Sequence, residues 1–263
     1  MSSKRPLPAG YGQITPVANY MPWTVDVAFG ETFERIQENT MVDVYRCWEL
    51  WQLVTQLSSA TGPDPVPGEI LEVGAWRGGT AALMATALQV IAGPRAKNVI
   101  VADTFYGVVK AGEHDPYFRG GEYANTSADM VRQFLGALGI THFQILEGVF
   151  PEETGHAIED RAIAFCHIDV DVYESAKDVC EWVWPRLSEG GIVVFDDYGF
   201  YGCEGVTAYV DEAKAADDRL FVQNLNGHAM FVKRGARAAG GGEQGVNTTG
   251  VGSSQAVPPG GGD

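Results

Sequence analysis

Between residues 69 and 216 short apolar runs alternate with helical stretches, and no other feature restricts the fold as much. EILEV (69–73), NVIVAD (98–103), HFQILEG (142–148), AIAFCHID (162–169) and GIVVFDD (191–197) read as strands. The segments 81–91, 127–138, 174–187 and 206–216 carry apolar residues at helical intervals. Strands that are apolar at successive positions have no solvent face, so they belong to a mainly parallel sheet with helices on both sides. Two final runs, LFVQNL (220–225) and HAMFVKR (228–234), flank Asn226-Gly227, a strong hairpin signal. The expectation is an α/β chain whose seven-stranded, mainly parallel sheet closes on an antiparallel hairpin.

The flanks read differently. Residues 1–30 are rich in Pro, Gly and aromatics (Pro6, Pro8, Tyr11, Pro16, Tyr20, Pro22, Trp23), as in an ordered but irregular arm. From 31 to 60 Val42, Tyr45, Trp48, Leu50, Val54 and Leu57 recur as on one helix, which the turn TGPDPVPG (61–68) stops. This first part, 1–68, is expected to contact substrate or further copies of the chain, and 69–234 to form the α/β domain. The Gly/Ser/Pro-rich tail, 235–263, has too few large apolar residues to order itself. A net charge of −16 argues against a nucleic-acid partner, since phosphate contacts need a concentrated basic surface. No apolar run reaches the ~18 residues that a membrane span needs, and MSSKRPLPAGYGQ lacks the apolar stretch of a secretion signal. Cys47, Cys166, Cys180 and Cys203 form no C-x-x-C pair, which suits a reduced cytoplasm.

Chemistry gathers where strands end. ILEVGAWRGGT (70–80) leads from strand to helix through Gly74, Gly78 and Gly79, which let a ligand approach the backbone. Glu72 completes E-x-G-x-x-x-G, the pattern methyltransferases use around the methionine part of S-adenosylmethionine; the plainer reading is an ordinary strand–helix turn. Asp103 ends the second strand, where a carboxylate can accept from both ribose hydroxyls of an adenosine, as it does in NAD enzymes. Glu147-Gly148 end the third, where an adenine would lie. Any one of these could be a surface group, but three consecutive strand ends point to a cofactor crevice.

A second set is acidic. HIDVDVYES puts Asp169 and Asp171 at the end of the fourth strand, and VVFDDY puts Asp196 and Asp197 at the end of the fifth. Carboxylates crowded in one crevice repel one another, and a hard divalent cation relieves that; all-oxygen donors suit Mg²⁺ or Ca²⁺ better than zinc. A lone terminal Asp can instead be a helix N-cap. The cation would bind an acceptor oxygen, lower the hydroxyl's pKa and hold it in line with a sulfonium methyl, with Asp169 or Asp171 taking the proton. His167 is set behind them, on the expectation that its strand turns it away. His114 and His228 are better placed for substrate, although packing or solvent exposure is the plainer reading of each. Tyr173-Glu-Ser-Ala-Lys177 matches the Y-x-x-x-K of short-chain dehydrogenases, but those enzymes lack the Glu before the glycine turn and need no later Asp-Asp.

With these residues in hand, the chain resembles the macrocin O-methyltransferase family, which methylates sugar hydroxyls on natural products. VPGEILEVGAWRGGTAALM, VIVADTFYGV, HIDVDVYESAKDV and LSEGGIVVFDDYG carry the resemblance across about 41–232, and MVDVYRCWELWQLV, with Arg46, looks like the family's segment before the first strand. The resemblance implies a Rossmann-like class I methyltransferase fold and a magnesium-dependent, S-adenosylmethionine-dependent enzyme, commonly a homodimer or larger. Its metal ligands map onto Asp169, Asp196 and Asp197. Its cofactor contacts map onto Glu72, Val73, Gly74, Ala75, Thr80, Asp103, Thr104, Glu147, Gly148, Val149 and Asp169. An aspartate base carries over to Asp169 or Asp171. Residues 110–127 look longer than usual, as a substrate lid would, and with the N-terminal arm they would select the substrate. A sugar hydroxyl on a glycosylated metabolite is the expected acceptor. The rivals are a catechol-type phenol methyltransferase, with YGFYG (198–202) lining an aromatic slot, a nicotinamide dehydrogenase, and a cofactor-binding scaffold without turnover.

Overall fold

The strands form where apolar residues fall on both parities. The computed structural model describes residues 7–15, 17–59, 64–92 and 97–235. Its sheet contains β1 (Glu69–Val73), β2 (Val99–Asp103), β3 (Phe143–Glu147), β4 (Ile163–Ile168), β5 (Leu187–Phe195), β6 (Arg219–Gln223) and β7 (Ala229–Lys233), in the order β3-β2-β1-β4-β5-β7-β6. β3, β2, β1, β4 and β5 pair in parallel, and β7 runs antiparallel to both β5 and β6. The expected fold class is therefore present. The strand order reverses between β1 and β4, and ligands of such sheets bind outside the carboxyl ends at that point.

Among the described residues six α-helices pack around the sheet: α1 (Val27–Ile36), α2 (Val44–Ser58), α3 (Gly79–Ala92), α4 (Ala128–Ala137), α5 (Tyr173–Val183) and α6 (Glu204–Ala213). Alternate strand residues serve opposite faces. Ile70, Val99, Val101, Phe165 and Val194 pack with α1–α4, through Phe29, Leu50, Leu83 and Val131. Leu71, Ile100, Cys166, Val193 and Phe231 pack with α5 and α6, through Val179 and Val210. Because α1 and α2 share the first core, the N-terminal helices pack as part of the α/β body.

Three expectations about elements are corrected. The single helix expected over 31–60 is two, broken at 37–43. Asp43 starts α2 by accepting from the Tyr45 and Arg46 N–H groups, and Asn39 O accepts from Gly79 N–H at 2.9 Å, which seats the break at the start of α3. The helix expected to reach 187 ends earlier, and β5 begins at Leu187 with a register irregularity before Ile192. The hairpin has the expected Asn226-Gly227 in a longer connection, closed by Asn224 N–H donating to His228 O at 2.9 Å. The tail from 236 onward lies outside the described residues.

Candidate active site

A cavity of about 320 Å³ opens at the carboxyl edge of the sheet, beside the β1–β4 reversal. One wall is the turn after β1. Gly74 has φ +88°, and a Cβ there would lie 1.7 Å from the Asp169 carbonyl oxygen, so only glycine fits. Asp103 organises this turn: its Oδ2 accepts from the Ala75 and Trp76 N–H groups, each at 2.8 Å, and its Oδ1 from Phe105 N–H at 2.7 Å. Burial raises the Asp103 pKa despite these three donors. Of the residues to which the resemblance assigns the cofactor, Val73, Gly74, Ala75, Thr80, Asp103, Thr104, Gly148, Val149 and Asp169 line the cavity.

Glu72 and Glu147 are the two expected contacts that the structure does not bring to the cavity. Glu147 is exposed at the end of β3. Glu72 is fully buried beneath the turn, where its Oε1 accepts from His167 Nδ1 at 2.9 Å. The reason is register: Glu72 pairs with His167 one position inside the last β1–β4 pair, Val73 with Ile168, and Val73 is the first residue of β1 to line the cavity. His167 is likewise buried and does not line the cavity. Alternation does not turn it away from Asp169, because residues two apart share a face; depth separates them.

The opposite wall is acidic. Asp169, Asp171, Asp196 and Asp197 all line it, and carboxylate oxygens of Asp169, Asp196 and Asp197 lie within 4.8 Å of one another. Asp196 is the best held: its Oδ1 accepts from His228 Nε2 at 2.9 Å and His167 Nε2 at 3.4 Å, and its Oδ2 from Arg46. Burial pushes its pKa up, but these three donors outweigh it and hold Asp196 well below the usual carboxylate range. Burial and then the Asp196 charge push Asp197 up to about 7. Asp169 and Asp171 are raised by burial and by the neighbouring carboxylates. Asp197 Oδ2 is buried without a hydrogen-bond partner. A cation among Asp169, Asp196 and Asp197 answers both the repulsion and the orphaned oxygen, so this donor set fits a hard divalent ion. Asp171, at φ +65°, lines the cavity outside that trio, with Cys203 Sγ donating to its Oδ1 at 3.9 Å.

The rim was less legible. Met41 and Arg46 come from the break before α2 and from α2 itself, and Trp76, Tyr123, Phe200 and Tyr201 add aromatic surface. Residues 110–127 form a lobe that reaches the cavity at Tyr123. Its base is pinned by Lys110 to Glu152 and Asp178 and by Asp115 Oδ1, which accepts from Tyr173 N–H at 3.0 Å. Its far end is latched to the glycine turn, with Trp76 Nε1 donating to Asn125 Oδ1 at 2.8 Å. Of the other histidines, His114 stacks on Tyr173 and His228 is buried, so neither faces substrate. Tyr173 donates to Glu212, and neither it nor Lys177 lines this cavity; both lie on a separate groove along α5 and α6 that includes none of the glycine turn, so the dehydrogenase pair does not face the cofactor crevice.

Sheet order and crevice are those of class I methyltransferases. The solved O-methyltransferase NovP superposes with a TM-score of 0.63, at 26% identity, over 74% of this chain and 82% of that one. Sequence narrows this: the chain belongs to the macrocin-O-methyltransferase (TylF) family of enzymes, whose pattern spans residues 35–232. It is similar to the 8-demethyl-8-(2,3-dimethoxy-alpha-L-rhamnosyl)-tetracenomycin-C 4'-O-methyltransferase of Streptomyces olivaceus, 32% identical over 67% of this chain and 69% of the relative. The mycinamicin III 3''-O-methyltransferase of Micromonospora griseorubida is 32% identical over 66% of this chain and 71% of its own length. The demethyldecarbamoylnovobiocin O-methyltransferase of Streptomyces niveus is 31% identical over 68% and 69%.

Proposed function

We propose that this enzyme transfers the methyl group of S-adenosylmethionine to a sugar hydroxyl of a natural-product glycoside, with Mg²⁺ or another divalent cation. The observation that carries the reading is the facing of two walls across one cavity: the glycine turn after β1, and the carboxylates after β4 and β5. When bound, S-adenosylmethionine supplies an electrophilic methyl and the cation supplies positive charge for an acceptor oxygen. The chain does the rest. The turn held by Asp103 presents backbone to the cofactor, and Asp169, Asp196 and Asp197 would hold the cation. Asp171, left free of that trio, takes the hydroxyl proton on its carboxylate as the oxygen attacks.

The named activities of the relatives support a glycoside acceptor. So does the aromatic rim of Trp76, Tyr123, Phe200 and Tyr201, since sugar C–H faces pack well on rings. A phenolic acceptor is the second reading, favoured by Phe200 and Tyr201 of the YGFYG segment, which do line the cavity. We place the enzyme in the cytoplasm as a homo-oligomer; its free cysteines suit a reducing compartment, and no helix among the described residues is long and apolar enough to cross a membrane.

Calorimetry with S-adenosylmethionine and, separately, NADP⁺, with and without Mg²⁺, tests the cofactor. A glycoside methylation assay on wild type and Asp171→Asn then tests the base. Expected are micromolar binding of the first cofactor and none of the second. The variant should turn over about a hundredfold more slowly, or worse, with its cofactor affinity kept. Binding of NADP⁺ alone would overturn the reading.

A further inference from the structure

The sheet face under α2 carries a chain of buried polar groups that runs from Asp196, at the cavity, to Glu72, His167, His228 and Glu49 behind it. Glu72 on β1, His167 on β4, Asp196 after β5 and His228 before β7 share the parity of the residues packed against α1–α4. From α2, Arg46 and Glu49, three residues apart and so on one helix face, complete it. His228 Nδ1 donates to Glu49 Oε2 at 2.5 Å, and Asn224 donates to Glu49 Oε1. The order is glutamate, imidazole, aspartate, imidazole, glutamate, with both Nε2 atoms aimed at the same oxygen, Asp196 Oδ1.

That convergence has a geometric consequence. An aspartate at a strand end rotates about two side-chain torsions, and a cation site needs one rotamer. With Oδ1 tied from two directions and Oδ2 accepting from Arg46, the Asp196 carboxylate is fixed with an oxygen within 4.8 Å of oxygens of Asp169 and Asp197. Each imidazole is itself fixed at its far nitrogen by a glutamate, so neither ring can swing away. The side chains of both histidines are fully buried, so neither can touch an acceptor.

We infer that His228 and Glu49 are positioning residues, a dyad reaching from the β6–β7 connection and α2 to hold the Asp196 carboxylate in the orientation that the cation site needs. Holding of ligands by such outer partners is typically worth ~10–100-fold in metal affinity. The inference rests on the cation reading above, and an opposing effect makes it testable. Two imidazoles near a cation site, if they act only through charge, repel the ion, and removing one would tighten binding.

Mn²⁺ serves as the probe, titrated into the full chain and followed by the electron paramagnetic resonance signal of the free ion. Wild type, His228→Gln, Glu49→Gln and Glu49→Ala are compared, with S-adenosylmethionine affinity and melting temperature measured alongside. Expected is one Mn²⁺ per chain, weakened ~10-fold or more in His228→Gln and Glu49→Ala. Glu49→Gln, whose amide oxygen still accepts from His228, should stay within ~3-fold of wild type, and cofactor affinity should stay within ~2-fold throughout. Unchanged or tighter Mn²⁺ binding in His228→Gln would overturn the dyad while leaving the cation reading standing. Two ions per wild-type chain would also overturn it, by making the imidazoles ligands. No Mn²⁺ binding by wild type would remove the cation reading and the dyad with it. Loss of cofactor affinity in parallel with Mn²⁺ would assign the residues to packing alone.

Discussion

Asp103 looks, from its place at the end of β2, like a group reserved for a ribose. Its carboxylate already accepts three backbone N–H groups from the turns after β1 and β2. Two of those donors belong to Ala75 and Trp76, and Trp76 sits at φ +48°, a conformation that non-glycine residues adopt only when held. The residue thus builds the cofactor wall as well as facing the cavity. Asp103→Ala should lower stability by about 1–3 kcal/mol, because the charge-assisted bonds go and the turn loses its clamp, and it should weaken S-adenosylmethionine in the same variant. Denaturant unfolding and calorimetry on one preparation check this. Weaker cofactor binding at unchanged stability would mean that Asp103 serves the ribose alone. Sequence showed that a carboxylate stood at this strand end, but not that its lone pairs were taken, since the donors lie 27 and 28 residues away.

Among the elements, the lobe of residues 110–127 is held by an unusual cap. Helix α5 begins without a capping side chain of its own, as its N-cap residue is Val172. Asp115 supplies the cap from the lobe: it is buried, its Oδ2 accepts from Gly112 N–H at 2.9 Å and its Oδ1 from Tyr173 N–H. Gly205 at the start of α6 leaves the room, since a Cβ there would fall 1.9 Å from Asp115 Oδ1. One carboxylate therefore ties the lobe to the first turn of α5 and packs closely against the start of α6. Asp115→Ala should cost about 1–2 kcal/mol, as loss of a cap does. It should also raise the acceptor KM while leaving cofactor affinity alone, and speed tryptic cleavage after exposed Arg119. A variant cleaved at the wild-type rate with an unchanged KM would show that the lobe is held elsewhere. The elements themselves were legible where burial on both faces makes apolar runs, as in β1 and β4. They were not legible at 37–43, where Val42 and Tyr45 keep the helical phase across the break, or at the start of β5, where Ser188 and Glu189 hide a strand. The four aspartates could be placed together because parallel neighbours end at one edge. The Glu49–His228 pair could not, because it joins elements 179 residues apart.

For the whole molecule the governing quantity is charge. The chain carries −16, and the crevice concentrates part of it in side chains held out of water. Burial, then neighbouring carboxylates, raise Asp169 and Asp171, and raise Asp197 to about 7. Burial pulls His167 down, yet Asp196 and Glu72 lift it to about 9, and His228 is raised in the same way by Asp196 and Glu49. In every one of these groups the folded-state pKa exceeds the unfolded one. Each therefore contributes stability that is complete below its unfolded pKa and is lost as pH rises through the folded one. Asp196, held low, is ionised in both states above about pH 5 and adds no slope there. Without a divalent cation the protein should therefore melt at a lower temperature at about pH 8.5 than at about pH 5.5. On the proposed reading Mg²⁺ would compete with protons for Asp169 and Asp197, so it should stabilise more at the higher pH. At a hundredfold excess over its Kd it adds about 2.7 kcal/mol, roughly 5–10 °C for a chain of this size. Scanning calorimetry at both pH values, with and without MgCl₂, measures the difference, and Asp197→Asn should abolish most of the response. Identical melting with and without the cation at the higher pH would take the ion out of the mechanism and leave the carboxylates as holders of protons.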